Sequence, residues 1–527
     1  MHALIAFLSL STVATAQDIY PFKPFPTAEI HARVGRMAEE TQPLINIHQV
    51  EARGLKQKKP TKQPWAGSYW PLLQGQIANP YHDVNPLDLS SLDIFFKWRT
   101  NLDNFRLRER TVLARVDNLS DAELARLAPS EKYDLLTGDK NFGMTRGIWE
   151  YVEGYGSRGV WSYTDPLEDM PAGFRFPNSH GKIETWEGIC HGWALAATGT
   201  SRPERMVNFT LPSGKTLPFY PNDIKALISL QYANSDVQND VKMEGWRCWD
   251  ENPRRDRYGR YIDVRPGETA RSGQLPACAD VHPAVWFLSL VNITGIQGRS
   301  MVVEVDADDK VNNHPFAGYK IWWFSPTGEG ERTNNLRRAI VPRARYRNDP
   351  FAAARNPETV AIVGVEVEMS YVDWARATTK TSDDEGEDRL KRKVMFFDLE
   401  LDAAGNVVGG QWLVTPIAEQ YRQLERQDQR RDHTNQPDFF WVLPKNYARH
   451  FVNNPALPNW DHRREALPSS WAQAARREGN DRLIFATNCT VVNEDTRETG
   501  SIRCRSRQPR PRPLADLVNK MTELSRR

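Results

Sequence analysis

The chain has 527 residues, 26% of them charged, with a formal net charge of +2. Its 69 Lys and Arg against 67 Asp and Glu create no field that would draw in nucleic acid. No run beyond the N-terminus reaches the roughly 18 apolar residues needed to span a bilayer, so the chain reads as a globular protein of about three domains by length.

Met1–Gln17 (MHALIAFLSLSTVATAQ) has an apolar run from Ala3 to Leu10 and a small-x-small ending at Ala14–Ala16. That pattern predicts a secretory signal cleaved near Ala16 and an extracellular or periplasmic destination. The five cysteines fit export: Cys248 and Cys278 flank a Gly/Pro/Arg-rich loop, and Cys489 and Cys504 flank a polar one. Local pairing, Cys248–Cys278 and Cys489–Cys504, leaves Cys190 as a free thiol.

Residues 18–135 read as a mostly helical region and a candidate propeptide, removable near Leu119. Ile30, Val34, Met37 and Ala38 recur at helical spacing, and Ser120 with Glu123 forms a capping box. Gly54–Trp65, with Lys56, Lys58, Lys59 and Lys62, reads as a solvated basic loop. A catalytic core is assigned to 136–345. In it, Asn222–Tyr232 reads as a helix, while Val281–Asn292, Met301–Val305 and Gly318–Phe324 read as strands. Residues 346–445 continue it with strands at Val360–Tyr371, Lys393–Leu401 and Asn406–Val414, the last two joined by a turn at Asp402–Gly405. The tail, 446–527, holds a basic Pro-rich run (RCRSRQPRPRP) and a short amphipathic helix, Leu514–Leu524.

Thr185–Ala197 (TWEGICHGWALAA) organises the core. Trp193–Ala197 favour a buried helix just after Cys190, and a thiol at a helix start has its pKa lowered by unpaired N–H groups and the helix dipole. Such a nucleophile needs a base and an orienting group. If Val281–Asn292 and Met301–Val305 pair as strands, His282 at the start of one can meet Asp306 at the end of the other. Cys190, His282 and Asp306 are therefore the expected triad. His314 and His180 are alternative bases, and Asn313, Asp308 and Asp309 are alternative orienters. Trp186 offers a second oxyanion donor, and Trp161, Trp186, Trp193, Trp286 and Trp322 are candidate cleft walls. The loop Asp383, Asp384, Glu385 is a candidate calcium site that lacks the helix-loop-helix spacing.

WEGICHGWALAA resembles the active-site signature of the transglutaminase elicitor family of oomycete plant pathogens and marine bacteria. Further blocks fall in the family's order: SEKYDLLTGD (Ser130–Asp139), VNNHPFAGYKIW (Val311–Trp322), LELDAAGNVVGGQW (Leu399–Trp412) and PDFFW (Pro437–Trp441). The resemblance covers roughly 120–445. It implies a protein-glutamine γ-glutamyltransferase, often calcium-dependent and without an organic cofactor, whose partners are proteins with accessible Gln and Lys. The implied fold is α+β, with a papain/transglutaminase-like cysteine helix on an antiparallel sheet. The block at Val311 resembles a surface epitope, Val-Trp-Asn-Gln-Pro, that plants perceive; Asn312 and His314 depart from it. Gln411 stands where the family pattern has Glu. A cysteine peptidase or amidase, and a non-catalytic binding protein, are the competing readings.

Overall fold

One strand, Asn313–Phe324, borders two cores, giving Ala317 to one and Phe316, Tyr319, Ile321 and Trp323 to the other. In a computed structural model the described residues are 25–82, 94–161, 185–233, 241–245, 281–305, 311–327, 332–413, 437, 439–445, 460–480, 489–490, 503–504 and 513–527. The helices are α1 Thr27–Ala38, α2 Ile47–Ala52, α3 Ile94–Thr111, α4 Asp121–Ala125, α5 Pro129–Leu136, α6 Gly143–Trp161, α7 Cys190–Gly199, α8 Pro221–Ala233, α9 Pro283–Ser289, α10 Leu336–Ala339, α11 Ser469–Asn480 and α12 Pro513–Ser525. The strands are β1 Gln57–Lys58, β2 Val207–Thr210, β3 Thr216–Phe219, β4 Lys242–Gly245, β5 Val302–Glu304, β6 Asn313–Phe324, β7 Val341–Pro342, β8 Ala361–Asp373, β9 Arg389–Leu401, β10 Val407–Trp412, β11 Phe439–Val442, β12 Cys489–Thr490 and β13 Arg503–Cys504.

One antiparallel sheet runs β10-β9-β8-β6-β5-β11-β4, with β1 added to β6 and β7 to β8. Phe316, Tyr319, Ile321 and Trp323 of β6 join α1, α2 and α9 in one core. Ala317 of β6 and Val302 of β5 join α7, α8, α11 and α12 in the other. The fold is thus α+β with an antiparallel sheet, as expected.

Several elements form for local reasons visible in the sequence. Ile30, Val34, Met37 and Ala38 of α1 are all fully buried. The Ser120 hydroxyl accepts from Glu123 N–H while Glu123 accepts from Ser120 N–H, completing the α4 capping box. Helix α8 covers the expected Asn222–Tyr232. Helix α7 can cross it closely because Gly192 has no side chain: a Cβ there would lie 2.2 Å from the Ser229 carbonyl.

Other expectations fail. Val281–Asn292 is no strand: Pro283–Ser289 is helical and continues as a wide π turn over Leu290–Ile296. A short apolar run fits either state, and here His282 as N-cap and Pro283 at the first helical position decide for helix. The basic segment Gly54–Trp65 is also no solvated loop. It carries β1, paired to β6, and the Lys62 ammonium donates to the Gly199 carbonyl at the end of α7. Burial pushes the Lys62 pKa down to about 8, aided by nearby Arg526. Nor is the tail separate, since Leu517, Val518 and Met521 of α12 lie in the α7–α8 core.

The signal segment, and Cys248 with Cys278, lie outside the described residues. Cys489 and Cys504 are directly opposed in the β12–β13 pair, the backbone placement their proposed disulfide needs. No described helix is long and apolar enough to cross a membrane.

Candidate active site

Cys190 is the first residue of α7, and an extended segment upstream holds the turn that delivers it. Ile189 N–H donates to Tyr69 O at 2.8 Å, Leu72 N–H donates to Glu187 O at 2.9 Å, and Pro71 bridges Gly188. This approach explains the glycine of the TWEGIC motif: a Cβ on Gly188 would lie 2.4 Å from Tyr69 O and 2.8 Å from Trp70 O. Trp70 takes a left-handed conformation, φ 49°, a strained setting that persists only when its surroundings enforce it. The Tyr69 hydroxyl closes the turn by donating to Thr185 O at 3.0 Å.

Across from the helix start lies the beginning of β6. Asn313 Nδ2 donates to Cys190 Sγ at 3.5 Å, and the thiol donates to Val311 O at 3.8 Å. The backbone N–H groups of Asn313 and His191 also favour the charged form of the sulfur. Glu304, fully buried and paired with Asn313 in the β5–β6 ladder, places a carboxylate nearby, itself held by Asn312 N–H. The two protonation states therefore have different partners. Val311 O serves the thiol, while the N–H donors serve the thiolate.

The expected low thiol pKa is overturned. Burial pushes the Cys190 pKa up, and the Glu304 charge adds to that, against the Asn313 and His191 donors that pull it down. The rate of Cys190 alkylation by a neutral reagent is expected to rise with pH to a midpoint above the ordinary cysteine value. An acidic midpoint would show instead a thiolate already paired with an imidazolium.

The structure does not bring His282 to this thiol. Its Nδ1 accepts from Ala284 N–H at 3.3 Å as the cap of α9, and its ring packs on Phe25 at 5.2 Å. Helix α9 belongs to the core on the face of the sheet opposite α7. Burial pushes the His282 pKa down to about 3, with Arg33 adding to the shift. The strand-to-strand argument for His282 fails because its segment is helical. Asp306, Asp308 and Asp309 lie outside the described residues, as does His180. His191 is held by the Ala233 carbonyl, and desolvation lowers its pKa to about 4.

His314, an alternative base, packs its ring on Tyr371 at 4.8 Å. It follows Asn313 on β6, its ring lies edge-on to Trp193 of α7 at 6.4 Å, and its Nδ1 is 3.2 Å from Val372 O. A proton on Nδ1, donated to that carbonyl, leaves Nε2 as the acceptor nitrogen. Trp193 itself is no cleft wall: it is 1% exposed and its indole donates to Trp65 O at 3.3 Å. Trp286 is core as well, and Trp322 lies beneath Lys320 and Arg332. Trp186 sits half-buried in the turn before Cys190, and the side chain of Trp161 lies outside the described residues.

The acidic loop does not fit a cation. Asp383 is bound by Arg202 at 2.7 Å and by Lys225 at 2.6 Å, and Asp384 accepts from Gly386 N–H. Glu385 opens a single turn of 3-10 helix. Asp383 is thus neutralised by protein cations, and the described residues contain no cluster of His, Cys, Asp and Glu suited to a metal. In the Val311 block, Val311 and Asn312 are half-buried and Asn313 through Tyr319 are buried.

The other family-like blocks are structural. Ser130–Leu136 is wholly buried, with Lys132 paired to Asp223 at 2.6 Å. At Leu399–Trp412, Gln411 N–H donates to Asp398 and its side-chain amide donates to Glu400 at 3.5 Å. A glutamate at 411 would add another negative charge there.

A family model described as transglutaminase elicitor matches residues 168–452. No curated protein matches the chain. Among solved structures, the crystal structure of the GP42 transglutaminase from Phytophthora sojae is similar at 18% identity and a TM-score of 0.45, over 79% of this chain and 90% of that one. The matched span includes Cys190, the thiol-facing start of β6 and the Leu399–Trp412 block, but not Ser130–Asp139. Because the match extends over more than half of its length, the chain belongs to the transglutaminase elicitor family.

Proposed function

We propose that the protein is a secreted protein-glutamine γ-glutamyltransferase with Cys190 as nucleophile and His314 as the base. A single observation carries this reading: a thiol at the start of a buried helix meets the Asn313 amide donor from the facing strand at 3.5 Å, an arrangement that serves a thiolate rather than a packing residue. The cysteine helix against an antiparallel sheet supports a papain/transglutaminase-like core. The base takes the thiol proton, Sγ attacks the glutamine carboxamide carbon, and the C–N bond breaks. Nitrogen regains the proton and leaves as ammonia. A lysine amine then attacks the thioester, its proton passes to the base, and the C–S bond breaks to give an isopeptide and a free thiol. Proteins presenting Gln and Lys are the partners.

The test is incorporation of a fluorescent primary amine into a glutamine-rich protein, with calcium or chelator, beside Cys190→Ala. The variant should lose at least about 10³-fold of the activity. Ammonia release or peptide cleavage without amine incorporation would assign a hydrolase instead.

A further inference from the structure

We propose that Asn313 is a catalytic residue that recognises the acyl donor as a primary carboxamide: its Nδ2 holds the Cys190 sulfur and its Oδ1 accepts an N–H of the glutamine side chain. The proposal rests on the transferase reading above and deepens it.

Asn313 is 4% exposed, and one half of its amide is committed to the sulfur at 3.5 Å. The other half, Oδ1, is buried without a hydrogen-bond partner. A buried carbonyl oxygen left unsatisfied costs free energy, so its persistence beside a nucleophile marks a position filled by something that arrives. The strand holds the Asn313 backbone in place. The Asn313 backbone is paired with Glu304, and the neighbouring Asn312 N–H is bound to the Glu304 carboxylate. Turning the amide over would also withdraw the donor from the sulfur and point an oxygen lone pair at it.

The chemistry of the arriving group follows from the amide's width. Because Oδ1 shares its planar amide with the Nδ2 that holds the sulfur, we set it against a substituent of the carbon that becomes bonded to that sulfur. An acceptor there selects a donor, and the NH₂ of a carboxamide supplies one. A γ-carboxylate or γ-ester would bring only oxygen lone pairs and leave Oδ1 unpaired. When Sγ attacks, the carboxamide nitrogen becomes tetrahedral and keeps its N–H on Oδ1 while it gains the proton that lets it leave. Thioester formation empties the position, and the incoming lysine amine can offer its own N–H to the same oxygen. One acceptor thereby serves both half-reactions.

The experiment compares wild type, Asn313→Ala and the isosteric Asn313→Asp on two peptides, one with glutamine and one with the γ-methyl ester of glutamate at the same place. A fluorescent amine is the acceptor in both, and Cys190 alkylation by a neutral reagent is followed against pH in all three proteins. The expected result is a roughly 10- to 100-fold loss of kcat/KM on the glutamine peptide with a much smaller loss on the ester, because one substrate hydrogen bond is removed. The alkylation midpoint should move upward in both variants. Equal losses on the two peptides with an unmoved midpoint would overturn the proposal, since a merely structural asparagine gives that pattern. If wild type turns over neither peptide, the transferase reading falls and carboxamide recognition with it. The alkylation profiles then still decide whether Asn313 holds the sulfur.

Discussion

Arg355→Met should cost about 3–5 kcal/mol of stability, the range found when one partner is removed from a buried ion pair. The guanidinium is 2% exposed and is gripped by Asp398 at 2.6 and 2.7 Å, by Asp349 at 2.9 and 3.0 Å, and by Glu400 at 3.3 Å. Burial, and then the Glu400 and Asp349 charges, push Asp398 up to about 6 against the pull of Arg355. Removing the one cation leaves three acids together in a region from which water is excluded. Their other bonds tie distant parts of the chain: Glu400 also accepts from Asn356 N–H and the Thr359 hydroxyl, each at 2.7 Å. Urea unfolding of the variant beside wild type measures the effect. Arg355→Lys should recover little, because an ammonium cannot reproduce the fork that meets Asp398 with two parallel bonds. A loss below about 1 kcal/mol for Arg355→Met would show that the carboxylates are satisfied without it.

A chain beginning at Leu119 should fail to fold rather than gain activity. The propeptide expectation treats residues 18–135 as separable, but α1 fills the core beneath α9, and Trp65, Trp70, Leu73 and Ile77 fill the core around α7. Each fully buried side chain of this size contributes about 1.5–3 kcal/mol. Losing Ile30, Val34, Ile47, Val50, Trp65 and Ile77 together removes about 9–18 kcal/mol by that figure, as much as the 5–15 kcal/mol total typical of a domain. The truncation also deletes Tyr69 and Trp70, whose backbone holds the cysteine turn. Near-UV circular dichroism and limited proteolysis of the two chains decide the matter. A protease-resistant, active core from Leu119 would restore the propeptide reading.

What the sequence made legible was local. The Ser120 capping box, the spacing of α1, the turn at Asp402–Gly405 and the long alternating strands β8 and β9 all rest on patterns within a few residues. The cysteine helix was legible for the same reason, from its run of small and apolar residues. Long-range partners were not. Nothing near Cys190 in sequence points to Tyr69 or Trp70, and the glycine that permits their approach is intelligible only once they are seen. Asn313 was in view as an orienter for a histidine, yet its amide lies on the sulfur itself. His282 misled because the apolar run after it reads as a strand, while His282 and Pro283 themselves start a helix. Buried Lys132 and Lys225 were missed, and Asp383 reads as a calcium ligand, because charged residues in a sequence read as surface until their partners are known.

Strand β6 is a party wall shared by two rooms. A slip of one residue would turn Tyr319, Ile321 and Trp323 out of their core toward the face where Lys320 is exposed, and carry Asn313 off the sulfur in the same movement. The accuracy of the reactive centre is therefore not maintained by the few bonds at the thiol. It is borrowed from dozens of apolar side chains that never meet a substrate, so selection for a sound interior is at the same time selection for a correctly aimed asparagine.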